Sequence, residues 1–311
     1  MKNPYIFLIV AIFFFSSCDD SNLLKSQANN NSNFSNNNIK ENEIIDNYNS
    51  FLTKIDIPSK LDFCGERIPL EIDEVRERVE REFYMLLQQQ GQILLYLKRS
   101  GKYFPTFEKI LKEENAPDDL KYLSVAESAL FMARSGKGAI GLWQFMEETA
   151  KSYGLTVNDY VDERRHVVKS TYAGIEYLKR GYIKYKSWIS AAAAYNMGFG
   201  GFSENLNFQS QDNYFDLFLN EETSRYIFRI VVIKEIMSNP QKYGYNISPE
   251  LLYKPEKVKI VKETNAIPNL AIWAKSHGTS YKDVKLLNLW ILKRELPAPG
   301  KDSFYEILIP Q

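Results

Sequence analysis

Cysteine and histidine are almost absent from this chain: its 311 residues hold two of each. Cys18 and Cys64 cannot build a disulfide framework or a cysteine-based metal site. His166 and His277 lie far apart and share no HExxH-type spacing, which excludes the usual zinc hydrolases. His support for a nucleophile at Cys64 is missing too, so Cys64 reads as a structural thiol. Charge of one sign is also lacking. Lys and Arg number 39, as do Asp and Glu, without the basic excess of a nucleic-acid binder. The apolar run over residues 4–15 is too short to span a membrane comfortably. The glycine-rich stretch Gly136-Lys137-Gly138-Ala139-Ile140-Gly141 lacks both the GK[ST] ending and the GxGxxG spacing of phosphate cradles. No metal or organic cofactor is expected, and no nucleic-acid partner.

What is present is ordinary for a globular protein: 44% hydrophobic and 25% charged residues. Aromatics reach 14%. Such rings can stack on sugars, but composition alone favours core filling. The first residues speak for the compartment. A short basic start, an apolar run and small residues Ser16 and Ser17 precede Cys18, the order of an export signal. A plain signal peptide and an uncleaved anchor share the first features. The Cys directly after the small residues resembles the lipobox of bacterial lipoproteins, which implies a mature chain lipidated at Cys18 and held to a membrane in the periplasm. Residues 1–17 are thus read as signal, and residues 18–66, rich in Asn and Ser, as a disordered tether.

From Arg67 onward, helical spacing dominates. Val75, Val79, Phe83, Leu86 and Leu87 form one stripe, followed by Ile93, Leu94 and Leu97, with Gly101 and Pro105 punctuating the end. A short helix is expected over 107–114. Further helices are expected from about 118, over 167–185, over 187–196 and over 222–237, with Gly198, Gly200 and Gly201 breaking the one over 187–196. The tail reads as strand, two short helices and strand: 258–261, 270–276, 281–289 and 305–309. The fold class is therefore mainly α, with a small α+β module at the C-terminus. The expected division is 67–250 and 254–311.

One residue breaks the pattern. Leu120, Leu123, Leu130 and Phe131 fall on one helical face, and Glu127 falls among them. A carboxyl there is paired, or it is working. Desolvation raises its pKa, and a carboxyl protonated near neutral pH is a general acid. A rotated helix or a polar pocket would also accommodate it.

Four motifs stand in order along the chain. They are Glu127-Ser128, Gly141-Leu142-Trp143-Gln144-Phe145-Met146, Ala194-Tyr195-Asn196 and Glu222-Thr223-Ser224-Arg225-Tyr226. Together they resemble the lysozyme-like lytic transglycosylases, in the membrane-bound type D arrangement, over about residues 67–245. The resemblance implies cleavage of the β-1,4 bond between N-acetylmuramic acid and N-acetylglucosamine in peptidoglycan. It implies attack by the sugar's own C6 hydroxyl and 1,6-anhydro ends, with one Glu as acid and then base. It assigns that role to Glu127 and substrate contact to Ser135, Gln144, Met146, Tyr195, Asn196, Glu222 and Tyr226. Tyr195 is expected to orient Glu127 or to face the developing oxocarbenium ion.

Each residue also has a plainer reading. Tyr195 and Tyr226 could be core tyrosines, Glu222 a helix-start acid, Met146 a filler and Trp143 packing. The chain departs from the family at Ala129-Leu130-Phe131-Met132, where a Gly-Phe-Asn-Pro-like stretch is usual, and the segment before Gly141 is one residue shorter.

The tail resembles a LysM module through Leu270 to Ala274, Tyr281 to Asn288, Pro299-Gly300 and Ile307 to Pro310. It lacks the Gly-Asp-Thr start, so glycan binding and a structural cap both stay open. The expected partner is the peptidoglycan strand, and the chain is expected to be a monomer. Two rival functions remain. One is a water-using muramidase, for which Asp162, Glu163 and Asp216 are the loose candidates for a second carboxylate. The other is an inactive peptidoglycan-binding lipoprotein.

Overall fold

The structure, a computed structural model, describes residues 46–47 and 50–311. The export segment, Cys18 and most of the expected tether lie outside the described residues. Two compact units divide the chain, 1–55 and 56–311. In the first, residues 50–54 form a helical turn.

Packed structure begins before Arg67, which corrects the expected tether boundary. Leu61 and Phe63 are buried, and β1 (Asp62–Phe63) pairs antiparallel with β2 (Glu66–Arg67). Two apolar side chains in an otherwise polar stretch are enough to dock it. Cys64 sits in the turn, and burial pushes its thiol up, out of the reactive range. Glu66 works at a distance. Its carboxylate accepts from Ser187 Oγ at 2.7 Å, from the Trp188 N–H and from the Ile189 N–H at 3.2 Å. Those donors open a later helix, so the hairpin caps the element that carries Tyr195.

Helices α1 (Asp73–Leu87) and α2 (Gln90–Glu113) follow. The helix α2 runs through Gly101 and Pro105 without ending at either, which corrects the expected break and absorbs the short helix expected at 107–114. Gly101 serves packing: a Cβ there would lie 2.7 Å from the Tyr253 carbonyl oxygen and 2.8 Å from Leu252 Cβ. A 3₁₀ turn, Asp118–Leu120, leads into α3 (Lys121–Ser128). Then come α4 (Glu147–Ser152), α5 (Val167–Tyr185), α6 (Trp188–Met197), α7 (Phe199–Gln209) and α8 (Glu221–Ser238).

Gly198, at φ +86°, ends α6, but Gly200 and Gly201 continue as α7, a helix that the glycines hid in the sequence. Ala191 to Ala194 of α6 are fully buried, and the small side chains let α5 approach closely. Helix α8 contributes the most buried residues. Ile227, Phe228, Ile230, Val231, Val232 and Ile233 bury nearly every face of it against α1, α3 and α6.

The C-terminal module is β3 (Val258–Glu263), α9 (Leu270–Ser276), α10 (Tyr281–Leu287) and β4 (Tyr305–Pro310). Its strands pair antiparallel from Val258↔Pro310 to Glu263↔Tyr305. The fold is thus mainly helical, with a strand–helix–helix–strand tail, as the sequence implies. Among the described residues, no helix is long and apolar enough to cross a membrane.

Candidate active site

The short helix α3 ends where the chain turns left-handed at Ala129 (φ +55°) and Leu130 (φ +54°). This corrects the sequence picture of one stripe through residue 131. Leu120 and Leu123 are buried as expected, but Phe131 lies beyond the helix and is 58% exposed. Glu127 is therefore next to last in α3. Two serines fix that end: Ser128 Oγ donates to the Ser124 carbonyl at 3.0 Å, and Ser124 Oγ to the Leu142 carbonyl at 2.9 Å. The second bond ties α3 to the glycine loop. Arg99 holds the atypical stretch after it, donating to the Ala129 carbonyl at 3.0 Å and lying over the Phe131 ring.

Glu127 points into a cleft of about 950 Å³. Its walls come from α3, the loop 135–146, α6 and the start of α8. Every site residue named from the sequence lines it: Ser135, Gln144, Met146, Tyr195, Asn196, Glu222 and Tyr226. Trp143 does not; it is fully buried and donates from Nε1 to Thr171 Oγ1 at 3.0 Å, so it packs.

The partner of Glu127 is Tyr226, whose hydroxyl donates to Oε1. Tyr195, expected either to orient Glu127 or to face the oxocarbenium ion, donates to the Trp143 carbonyl at 2.6 Å. Its ring stands edge-on to Tyr177 at 4.9 Å. Which tyrosine reaches the acid depends on how α3, α6 and α8 cross, and no motif encodes that. Burial lifts the Glu127 carboxyl from its ordinary value to about 7. The Tyr226 hydrogen bond pulls the other way, Glu222 adds to the rise, and Arg229 opposes it. Burial also raises both tyrosine hydroxyls well above their ordinary value, so each stays a donor.

The outer residues form a polar rim. Ser135 Oγ accepts the Ala139 N–H at 2.9 Å. Gln144, at φ +49°, donates from Nε2 to the Gly141 carbonyl at 2.8 Å, which shapes the loop from within. Asn196 Oδ1 accepts from Thr223 Oγ1 at 2.8 Å. Glu222 lies 3.3 Å from Lys137 Nζ, an exposed pair between the glycine loop and α8 that adds little stability. Met146 is exposed at the edge.

Sequence reasoning missed Arg229 and Lys137, both of which line the cleft. Arg229 stands one helical turn after Tyr226, so the spacing i, i+3 was the available signal. The candidate second carboxylates lie elsewhere. Asp162 is paired with Arg164, Glu163 with Lys169, and Asp216 accepts from Asn213. Among the described residues, no group of His, Cys, Asp and Glu is placed to hold a metal ion.

A mainly helical body whose cleft holds one deep carboxyl under a tyrosine hydroxyl is that of a lysozyme-like helical domain. Comparison with known proteins narrows the class. Residues 104–217 match the family model of the Transglycosylase SLT domain, and residues 259–311 that of the Soluble lytic transglycosylase C-terminal LysM-like domain. Over 191 residues the chain is 28% identical to "Membrane-bound lytic murein transglycosylase D" of Escherichia coli K12, covering 60% of this chain and 42% of that protein. The same figures hold for the protein of that name from Escherichia coli O6:H1. It is also 30% identical over 92 residues to a "Putative tributyltin chloride resistance protein" of Alteromonas sp. (strain M-1), covering 29% of this chain and 44% of that protein. The chain thus spans less than half the length of these relatives. Glu222 and Tyr226 lie past the matched SLT segment, and it is the fold that brings α8 to Glu127.

Proposed function

We propose that this chain is a lytic transglycosylase of peptidoglycan. It would cleave the β-1,4 bond between N-acetylmuramic acid and N-acetylglucosamine and leave 1,6-anhydromuramic ends, in cell-wall remodelling. The observation that carries the reading is Glu127: one carboxyl, held near neutral pKa by burial, at the floor of a cleft wide enough for sugar rings. The SLT domain and the murein-acting relatives support the substrate class.

The chemistry needs no second carboxylate. Protonated Glu127 gives its proton to the glycosidic oxygen as the C1–O bond breaks. The C6 hydroxyl oxygen of the same muramic residue bonds to C1, and its proton passes to the Glu127 carboxylate. The acid is regenerated, and no water enters. The intramolecular nucleophile gains from proximity what a hydrolase obtains by activating water. Tyr226 holds the carboxyl through its hydroxyl. Ser135, Gln144, Met146, Asn196 and Glu222 would contact the flanking sugars, and Tyr195 would keep the aromatic wall in place. Lipid on Cys18 would hold the domain at a membrane of the cell envelope.

The test is digestion of purified peptidoglycan by the full chain, with the products weighed. Anhydro-ended muropeptides from the wild type and none from Glu127→Gln would bear the reading out. Reducing ends would instead assign a muramidase. Glycan binding with no released muropeptide would assign an inactive binding protein.

A further inference from the structure

We infer that Arg164 is a positioning residue for the cleft, and that the docked C-terminal module holds it in place; the inference rests on the transglycosylase reading above. The module makes strand-like pairing with the loop between α4 and α5. The Asp162 N–H donates to the Trp290 carbonyl at 2.9 Å, and the Leu292 N–H to the Tyr160 carbonyl at 2.8 Å, around an antiparallel bridge between Val161 and Ile291. Asn158 preforms this edge, its Oδ1 accepting the N–H groups of Tyr160 and Val161 at 2.9 Å each. Val161 belongs to the module's own hydrophobic core, with Leu270, Val284 and Ile291.

The next residues reach the cleft. The buried Asp162 carboxylate takes a two-pronged bond from Arg164, Nε to Oδ1 at 2.9 Å and Nη2 to Oδ2 at 3.0 Å. The third guanidinium nitrogen, Nη1, lies 3.3 Å from the carbonyl oxygens of both Gly138 and Phe145. Both carbonyls belong to the loop 135–146, whose residues Ser135, Lys137 and Gln144 line the cleft. The loop also rests on the backbone of Arg164. Gly141, at φ +94°, comes so close that a Cβ would lie 2.0 Å from the Arg164 carbonyl oxygen. One unbroken path therefore runs from Trp290 and Ile291 through Asp162 and Arg164 to the wall that faces the sugar. It meets neither Glu127 nor Tyr226, so it bears on where the glycan sits and leaves the proton transfer alone.

Two single substitutions in the full chain test this. Arg164→Lys keeps the buried charge beside Asp162 but cannot reproduce the fork or reach both carbonyls. Leu292→Pro deletes the N–H that binds Tyr160 and changes no residue outside the module. The assay uses a short soluble glycan of two disaccharide repeats, too small to gain from anchoring on insoluble wall. Both variants should raise KM about tenfold, as expected for a few lost hydrogen bonds, with kcat changed little. The alkaline limb of the pH profile should not move. Amide hydrogen exchange over residues 133–146 should quicken in both. Wild-type KM and wild-type exchange in Leu292→Pro would overturn the module's part, whether or not Arg164→Lys folds. The same result in Arg164→Lys would overturn Arg164's. A wild-type chain that cleaves no glycan would sink the transglycosylase reading, while the exchange comparison would still decide the coupling.

Discussion

Keeping a carboxyl protonated near neutral pH has a thermodynamic consequence that can be measured without substrate. Unfolded, Glu127 titrates near its ordinary 4.5; folded, burial moves it to about 7. Between those values the folded state binds more protons, so stability falls as the pH rises. Above the folded pKa the burden is complete, about 3 kcal/mol at about 1.4 kcal/mol for each pKa unit. Glu127→Gln removes it. The variant should therefore unfold at higher temperature than the wild type at about pH 8, with the gain shrinking toward about pH 4.5. Parallel melting curves at the two pH values check this. A gain that does not depend on pH would mean that Glu127 is not shifted.

Tyr226 gives the companion test. Its hydroxyl favours the ionised acid, so Tyr226→Phe should raise the Glu127 pKa further and move the alkaline limb of kcat/KM to higher pH. The residue-level site was legible in part. Glu127 stood out as a charge among leucines, and the motifs gathered the cleft residues. The choice between Tyr195 and Tyr226 was not legible, because each lies on its own helix and the crossing of the two with α3 decides it.

At the scale of elements, glycine had opposite meanings that composition could not separate. Helix α5 was readable to the residue, since its apolar spacing is unbroken and Ser187, just after it, caps the next helix. By contrast α2 was read as two pieces, and α7 was missed, because Gly101, Gly200 and Gly201 look like breakers. In α2, Gly101 instead admits the Leu252 side chain and the Tyr253 carbonyl, a contact with residues about 150 positions away. A pair of substitutions in this helix separates propensity from packing. At Gly91 a Cβ would meet nothing within 4 Å. Gly91→Ala should be neutral to stabilising, by at most about 1 kcal/mol. Gly101→Ala should gain the same propensity and lose more to overpacking, a net loss of about 1 to 2 kcal/mol. Denaturant midpoints of the two variants give the signs. Stabilisation by both would mean that the 252–253 segment does not press on α2.

For the molecule, the division into a helical body and a C-terminal module is real in sequence and incomplete in space. Each has its own elements, and the tail's strand–helix–helix–strand order was legible because its periodicity changes from the body's. The seam was not legible, since the pairing of 160–162 with 290–292 is made by backbone atoms, which carry no compositional mark. Val161 fills the module's core from the other side of the chain. Trp290 is buried as well, its ring 5.9 Å from that of His166. Burial holds this His near a pKa of about 4, so its ring stays neutral and the seam gains no charge on mild acidification. Modules joined only by a flexible connection unfold separately, whereas a shared core couples their melting. Residues 56–311 should therefore melt in one cooperative transition in calorimetry, with calorimetric and van't Hoff enthalpies in agreement. Val161→Asp places an unpaired carboxylate in the module's core. It should split that transition, with the module melting first and the helical body close to its original temperature. Two transitions in the wild type would show that the modules are thermodynamically separate.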